Sequence, residues 1–494
     1  FNFELKKIKS INGVRDGIIP FLISYLVKNN NIFYIAKNDL ELSNIHQFLL
    51  NNFDNINIYN VPAWDCLPFD ISSPNRNIVS ERIKSFSKLS SFESNKKKKL
   101  FLTTINSLFI KTAPKNYYIK NFLKLATKSD YSFNYITNFL NEIGYNRVQT
   151  VRELGEFSIR GSILDIFPIG YIKAFRIDFI DKTIETIKIM DPLTQRSSSL
   201  VENILVYPSN EFILNENNIE NFRKKFRNFR SSEGIKSDIY EKISSGIKFN
   251  GIEHFLPLLH ENKLSSIFDF LPSNEETIIL LPKNFSGLVE QRELEIKNFS
   301  EERKVENSDY KVINLEDLYL NKENIDQFLD LYTNIKFNEL NVVKKNEKHL
   351  INLNSKPLII PKAINSEDTN KINNFVKFCI KENQQNNRVL IATEDKTKIN
   401  NLISFFEEDL LKNNIKFEVI KISDFIDNQS STNFNFTYSP YVESFQIGDL
   451  YVIFDRDIFG IPENRKKSWR RKTENFLKDV NSIDSGDLVA HIDH

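Results

Sequence analysis

Residues 151–168 read Val-Arg-Glu-Leu-Gly-Glu-Phe-Ser-Ile-Arg-Gly-Ser-Ile-Leu-Asp-Ile-Phe-Pro, and residues 175–179 read Phe-Arg-Ile-Asp-Phe. Both stretches contain apolar and polar side chains in alternation, the period of a β-strand with one buried face. Phe157 and Ile159 are therefore predicted on the buried face, and Ser158 on the opposite one. Glycine and proline mark turns throughout residues 145–208. We predict an antiparallel β-rich domain here.

The same alternation selects candidate surface residues. If the two strands are neighbours, Arg160, Arg176 and Ile180 share one exposed face. Two guanidinium groups beside an apolar side chain are typical of a protein interface, because arginine is enriched there and its planar fork pairs with carboxylates. From the residues alone, a solvated charged face is the alternative.

The flanking regions have a different rhythm. Short apolar runs at residues 32–36, 56–59, 100–104 and 277–281 alternate with amphipathic helical segments, which predicts a parallel sheet covered by helices. The same pattern returns after residue 350 and predicts a small doubly wound domain. The predicted fold class is a multidomain α/β protein: a degenerate helicase-like parallel-sheet domain with an inserted antiparallel β-rich domain, then the small α/β domain.

These patterns predict domain boundaries. The parallel-sheet domain occupies residues 1–118 and 209–340, and the β-rich insertion occupies residues 119–208. The C-terminal segments are a linker at 341–349, the small α/β domain at 350–462, a basic linker helix at 463–485 and the start of a further domain at 486–494.

Composition excludes several classes of protein. A chain of 494 residues is too long for one hydrophobic core. Its net charge of +1 argues against attraction of the whole molecule to nucleic acid. Cys66 and Cys379 lie far apart and lack a nearby companion, and His254 and His260 lack further ligands, so we predict no metal site. No run approaches the about 20 apolar residues of a membrane helix. We expect a cytoplasmic protein without membrane contact.

The segment at residues 11–20 is a candidate vestigial phosphate loop. A functional loop presents glycine N–H groups, a lysine and a serine or threonine to the nucleotide and its magnesium ion. Here Gly13, Arg15, Asp16 and Gly17 are followed by two isoleucines, and the Asp16 carboxylate would repel phosphate. We therefore predict no catalytic residue, no cofactor and no use of ATP in this chain.

Residues 61–70 read Val-Pro-Ala-Trp-Asp-Cys-Leu-Pro-Phe-Asp, and Ser-Pro-Asn follows at 73–75. This segment resembles transcription-repair coupling factors, with Phe69 where tyrosine is usual. Residues 151–179, closed by Asp-Pro-Leu-Thr-Gln-Arg-Ser at 191–197, resemble the UvrA-binding module shared by UvrB and the coupling factors. Residues 251–259 resemble the family more briefly. Residues 486–494 resemble the start of its RNA-polymerase-interacting domain, so we expect the N-terminal part of such a protein.

The resemblance implies a role in nucleotide-excision repair. It implies that Arg160, Arg176 and Ile180 contact UvrA, although Ile180 replaces an aromatic residue. It also implies that the full-length protein removes stalled RNA polymerase by translocation along double-stranded DNA. The motor, which uses ATP and magnesium, would lie beyond this chain, and this chain would restrain it as a clamp.

Three alternatives remain open at this level. The basic residues Arg465, Lys466, Arg470 and Arg471 suggest either a nucleic-acid contact or a solvated linker helix. A UvrB-like damage-recognition helicase is disfavoured by the incomplete phosphate loop and the lack of a long aromatic hairpin. A free-standing α/β binding protein is disfavoured because no Gly-x-Gly-x-x-Gly fingerprint follows the strands of the small domain.

Overall fold

The computed structural model describes residues 7–54, 56–90, 98–229, 237–272, 276–306, 308–340, 349–358, 369–394, 396–427, 429–439 and 443–459. Packing divides the chain into two compact units. Unit one comprises Phe1–Asn12, Leu22–His46 and Asp54–Asn352, and unit two comprises Gly13–Phe21, Gln47–Phe53 and Leu353–His494. The finer domain boundaries remain predictions, and residues 341–348 of the predicted linker, the basic helix and the segment 486–494 lie outside the described residues.

Strands and helices alternate along the first 120 residues. They are β1 (Ser10–Asn12), α1 (Ile19–Leu26), β2 (Asn31–Ala36), α2 (Asp39–Asn52), β3 (Asn57–Val61), α3 (Arg76–Ser90), β4 (Lys99–Thr104), α4 (Ile105–Phe109) and α5 (Lys115–Lys120).

The next region is mostly strand. It contains β5 (Leu123–Ala126), α6 (Phe133–Glu142), β6 (Asn146–Arg147), β7 (Glu156–Arg160), β8 (Ile163–Phe167), β9 (Ala174–Ile180), β10 (Thr183–Met190), β11 (Ser197–Val201) and β12 (Asn203–Val206).

Helices then predominate up to the end of unit one. The elements are α7 (Glu216–Phe229), α8 (Asp238–Ser244), α9 (Leu256–Leu259), β13 (Thr277–Leu281), α10 (Phe285–Glu306), α11 (Leu315–Leu318), α12 (Lys322–Asp330), β14 (Thr333–Asn338) and β15 (Leu350–Asn352).

The C-terminal part of unit two returns to alternation. Its elements are β16 (Lys356–Pro357), α13 (Thr369–Gln384), β17 (Arg388–Thr393), α14 (Ile399–Lys412), β18 (Phe417–Val419), α15 (Ile422–Ile426), β19 (Phe434–Tyr438), β20 (Phe445–Ile447), β21 (Leu450–Phe454) and α16 (Asp455–Phe459).

A seven-stranded parallel sheet organises unit one, in the order β15-β1-β14-β13-β2-β4-β3. Every residue of β2 is buried, which explains its apolar run from Ile32 to Ala36, since central parallel strands are covered on both faces. β13 pairs with β2, and β14 pairs with β1, so strands from before and after the β-rich region complete one sheet. This confirms the predicted fold class of a parallel-sheet domain with a β-rich insertion.

The insertion forms a six-stranded sheet, in the order β11-β10-β9-β8-β7-β6, with antiparallel pairs except between β6 and β7. The side chains of Phe157, Ile166, Phe175, Ile177 and Phe179 belong to the core of unit one. The predicted period-two pattern is confirmed. β5 and β12 pair separately as a two-stranded antiparallel sheet.

Unit two contains a mixed six-stranded sheet, in the order β16-β20-β21-β17-β19-β18. The four strands from β21 to β18 are parallel, and α13 and α14 pack on them through a core that includes Phe375, Phe406 and Phe436. This is the predicted small α/β domain. The pattern did not predict β19, which lies between β17 and β18.

No helix of the described residues combines the length and apolar character needed to cross a membrane.

Candidate protein-binding site

The outer face of the antiparallel sheet is the side opposite the core of unit one. Arg160 is registered with Ile163 of β8, and Ile163 with Asp178 of β9. Because cross-strand partners point to the same side and side chains alternate along a strand, Arg160, Arg176 and Ile180 all lie on the outer face. β7 and β9 are not neighbours, however, since β8 lies between them. The alternation predicts on which face of the sheet a side chain lies, but not which strand is the neighbour of its own strand.

A loop covers part of the outer face. Val151 from the loop before β7 is fully buried and packs with Phe167, Ala174 and Met190 in a small apolar cluster separate from the core. This cluster lies at one end of the outer face, and Arg160 and Ile180 lie beyond it in the open part.

Arg160 is exposed and is oriented by this loop. Its Nη2 donates hydrogen bonds to the Gln149 carbonyl oxygen at 2.6 Å and to Thr150 Oγ1 at 3.2 Å. Among the described residues, no carboxylate forms an ion pair with Arg160. Its guanidinium group therefore carries an uncompensated positive charge at the surface.

Arg176 has a different environment. Its Nε lies 2.7 Å from Asp165 Oδ1 and its Nη2 lies 2.8 Å from Asp165 Oδ2, a two-point ion pair. The Asp165 side chain is only 2% exposed, and that of Arg176 is 23% exposed. The hydrogen bonds with Asp165 raise the pKa of Arg176 above its usual value. Arg176 thus neutralises a buried carboxylate that the sequence did not identify.

A second ion pair lies on the open part of the face. Lys188 Nζ lies 2.8 Å from Asp178 Oδ2, which also accepts a hydrogen bond from Thr186 Oγ1 at 2.6 Å. Burial opposes ionisation of Asp178, but these bonds outweigh it and lower the pKa of Asp178. This pair contributes no net charge to the outer face.

Two apolar side chains project from the face. Ile180 is 56% exposed and Leu200 is 66% exposed. Leu200 is registered with Lys188 and therefore lies on the same side of the sheet as Arg176. Sequence reasoning missed Leu200, although its place after three serines marks an exposed strand with one apolar side chain.

Residues 123–212 match the family model described as the UvrB interaction domain, and the match includes β5 to β12. The transcription-repair-coupling factor of Rickettsia bellii is 34% identical over 281 residues, 56% of this chain and 24% of that protein. The chain is related to the transcription-repair-coupling factors. This confirms the family that the sequence motifs predicted.

Other transcription-repair-coupling factors are similar to this chain to a comparable degree. The coupling factor of Rickettsia conorii is 34% identical over 64% of this chain, and that of Haemophilus influenzae is 30% identical over 67%. Each match covers 28% of the relative, so the chain spans about a quarter of the length of the curated relatives it matches. Among solved structures, S. tokodaii Xpd4 aligns with 95% of the chain at a TM-score of 0.19 and 10% identity, too low to support any inference.

In this coupling-factor relative, the candidate phosphate loop connects β1 to α1 through a short 3-10 turn, Asp16–Ile18. At the carboxyl end of β1, Asn12 Nδ2 donates to Asn352 Oδ1 at 3.1 Å, and Asn338 Nδ2 donates to Asn12 Oδ1 at 2.8 Å. The three asparagines end the adjacent parallel strands β1, β14 and β15. The side-chain amides of these three asparagines thus form hydrogen bonds with one another at this edge of the sheet.

Within unit two, the loop backbone is tightly packed. The Gly13 carbonyl oxygen accepts a hydrogen bond from the Ser355 hydroxyl group. A β-carbon at Gly17 would clash with the carbonyl oxygen of Glu443, so only glycine fits there. Ile18, at the position of the missing lysine, is buried. The loop is occupied by packing contacts within its own unit.

Arg465, Lys466, Arg470 and Arg471 lie outside the described residues. Of the residues that the structure describes, no group of three or more His, Cys, Asp or Glu side chains could hold a metal ion.

Proposed function

We propose that this chain serves transcription-coupled nucleotide-excision repair by binding UvrA through the outer face of its antiparallel sheet. The observation that carries the proposal is Arg160, an exposed and uncompensated guanidinium group in a domain that matches the UvrB interaction domain. The exposed side chain of Ile180 lies on the same face.

The charges of the face favour an acidic partner surface. Arg176 is paired with Asp165, and Lys188 with Asp178, so these four groups largely cancel. The charge of Arg160 remains available, and a guanidinium fork binds a carboxylate through two parallel hydrogen bonds. Ile180 adds apolar area, although less than the aromatic residue that the family resemblance implies at this position. We therefore propose that Arg160 meets a carboxylate of UvrA.

We further propose that this chain is part of a longer coupling factor. The proposed whole protein recognises stalled RNA polymerase and displaces it by ATP-driven translocation on double-stranded DNA. ATP and magnesium would be bound by a motor outside this chain. The chain itself would supply the UvrA contact and no ATP chemistry, because its own phosphate loop lacks the lysine and the hydroxyl group.

A binding measurement with purified UvrA tests the proposal. We expect Arg160→Ala to weaken binding by about 1.5–3 kcal/mol, the range for hydrogen bonds to charged groups. Lys124→Ala is the matched control, because Lys124 is an exposed cation of the same domain on the separate sheet formed by β5 and β12. If both variants bind UvrA as tightly as the unmodified chain, the outer face is not the UvrA site.

A further inference from the structure

We infer that Asp165 is a positioning residue for partner recognition, which holds the guanidinium group of Arg176 in one orientation before the partner arrives. The inference rests on the proposed binding of UvrA through the outer face. It concerns a residue that is buried and that would not itself touch the partner.

The geometry around Arg176 explains this role. Asp165 holds Nε and Nη2 at 2.7 and 2.8 Å, and the Met190 sulfur atom lies 3.4 Å from Nη2. Nη1 has only a longer contact, 3.4 Å, with the Gln195 carbonyl oxygen. A side chain held at so many points loses little further rotamer freedom when it binds, and such preorganisation increases affinity.

The same pairing limits what Arg176 contributes by charge. Asp165 is registered directly opposite Arg176 and is almost fully buried, so it cancels the positive charge at short range. The recognition chemistry left to Arg176 is directional: Nη1 presents oriented N–H groups to an acceptor oxygen of the partner. Long-range attraction of an acidic partner would instead come from Arg160.

A role of Arg176 by charge and a role by orientation predict opposite effects of the same substitution, Asp165→Asn. Asp165→Asn removes a negative charge from the outer face, so binding to an acidic partner would become tighter if charge alone mattered. If orientation matters, the same variant binds more weakly, because the neutral amide holds the guanidinium group less firmly. Asp178→Asn is the matched control, since it removes the same charge from the same face at the ion pair with Lys188.

The experiment compares association rate, dissociation rate and Kd for UvrA with the complete chain and these two variants, at low and moderate salt. We expect Asp165→Asn to weaken binding about tenfold, mostly through faster dissociation, as is usual for changes at an interface. We expect Asp178→Asn to bind equally well or slightly more tightly. Thermal unfolding of each variant shows whether it is folded.

A further variant keeps the test decisive if Asp165→Asn fails to fold. Arg176→Lys retains the positive charge beside Asp165 but loses the planar fork, and we expect a similar loss of affinity. Where both variants fold, their combination should bind no more weakly than either alone, because each removes the same oriented group.

The outcomes separate the two proposals. Absence of UvrA binding by the unmodified chain overturns the proposed function and this inference with it. If the unmodified chain binds, and Arg176→Lys or a folded Asp165→Asn binds as tightly as Asp178→Asn, only the positioning role of Asp165 is overturned.

Discussion

At the residue scale, His254 is the clearest case of a polar group placed by packing. Its ring stacks on Phe69 with centroids 5.6 Å apart, and it meets the Trp64 ring edge to face at 5.8 Å. The side chain is fully buried, and burial lowers the pKa of His254 to about 4, against the weaker effect of Asp70. His254 therefore joins the aromatic loop after β3 to the segment before α9 as a neutral ring.

This environment predicts acid sensitivity. The folded pKa of about 4 lies below the usual 6.5, so folding favours the neutral form, and its contribution is complete above pH 6.5 and decreases as the pH falls toward 4. At pH 5 we expect a loss of about 2 kcal/mol from this residue relative to pH 7.

Urea unfolding at both pH values checks the prediction, with His254→Phe as the comparison. Burial also lowers the pKa of His260 to about 4, so the variant should keep the loss due to His260 and lack that due to His254. Equal pH dependence of the variant and the unmodified chain would contradict the assignment.

At the scale of elements, α3 contacts both the parallel-sheet domain and the β-rich insertion of unit one. Its Arg82 is fully buried, with Nε 2.7 Å from Glu211 Oε1 and Nη1 2.9 Å from the Pro62 carbonyl oxygen. Two residues earlier, Ser80 Oγ accepts a hydrogen bond from the Gly170 N–H group of the insertion at 2.7 Å. The helix therefore helps to orient the β-rich insertion on the parallel-sheet domain.

We expect Arg82→Met to destabilise unit one by about 3–5 kcal/mol, because it leaves the Glu211 carboxylate buried without its partner. Lys84→Met on the same helix is the control, since the two side chains of its ion pair with Glu81 are 31% and 36% exposed, and a pair so accessible to solvent contributes about 0–1 kcal/mol. Chemical unfolding measures both. The double variant Arg82→Met with Glu211→Leu should be more stable than Arg82→Met alone; an equal or lower stability would argue against the ion pair as the cause.

At the scale of the whole molecule, the chain has the strand-loop-helix order of a nucleotide-binding domain, but its loop has isoleucines at residues 18 and 19. The loop residues Gly13 and Gly17 are engaged by Ser355 and Glu443 within unit two. Anions bind at such loops through free backbone N–H groups and a lysine. The loop of this chain has neither a lysine nor a serine or threonine at residues 18 and 19.

We expect no saturable binding of Mg-ATP to this chain and no ATP hydrolysis, because the loop lacks both functional side chains and is packed against its own unit. Equilibrium dialysis and a phosphate-release assay measure these two properties. Introducing the missing residues as Ile18→Lys and Ile19→Thr should not restore binding, since both isoleucines are buried. Measurable ATP hydrolysis by the unmodified chain would instead support a UvrB-like helicase.

Much of the fold could be read from local patterns. The apolar run of β2 predicts a central parallel strand, and the alternation in β7 and β9 predicts which side chains are buried. β14 and β19 were missed because their apolar and polar residues alternate, whereas the other strands of the parallel sheets were recognised by continuous apolar runs. The residues of the loop at 61–70 and of the strands at 151–179 also predicted the family. Such motifs are recognised by their residues in order along the chain and do not depend on tertiary contacts.

The sequence alone determined the incomplete phosphate loop, the shared face of Arg160, Arg176 and Ile180, and the relationship to coupling factors. Only the tertiary structure decided that β8 separates the two arginines, that the loop bearing Val151 covers part of the face, and that Asp165 is buried beneath Arg176. The physical reason is that periodicity depends on residues a few positions apart. Strand order and burial depend instead on contacts between residues distant in the chain, and these contacts determine which charges a partner can reach.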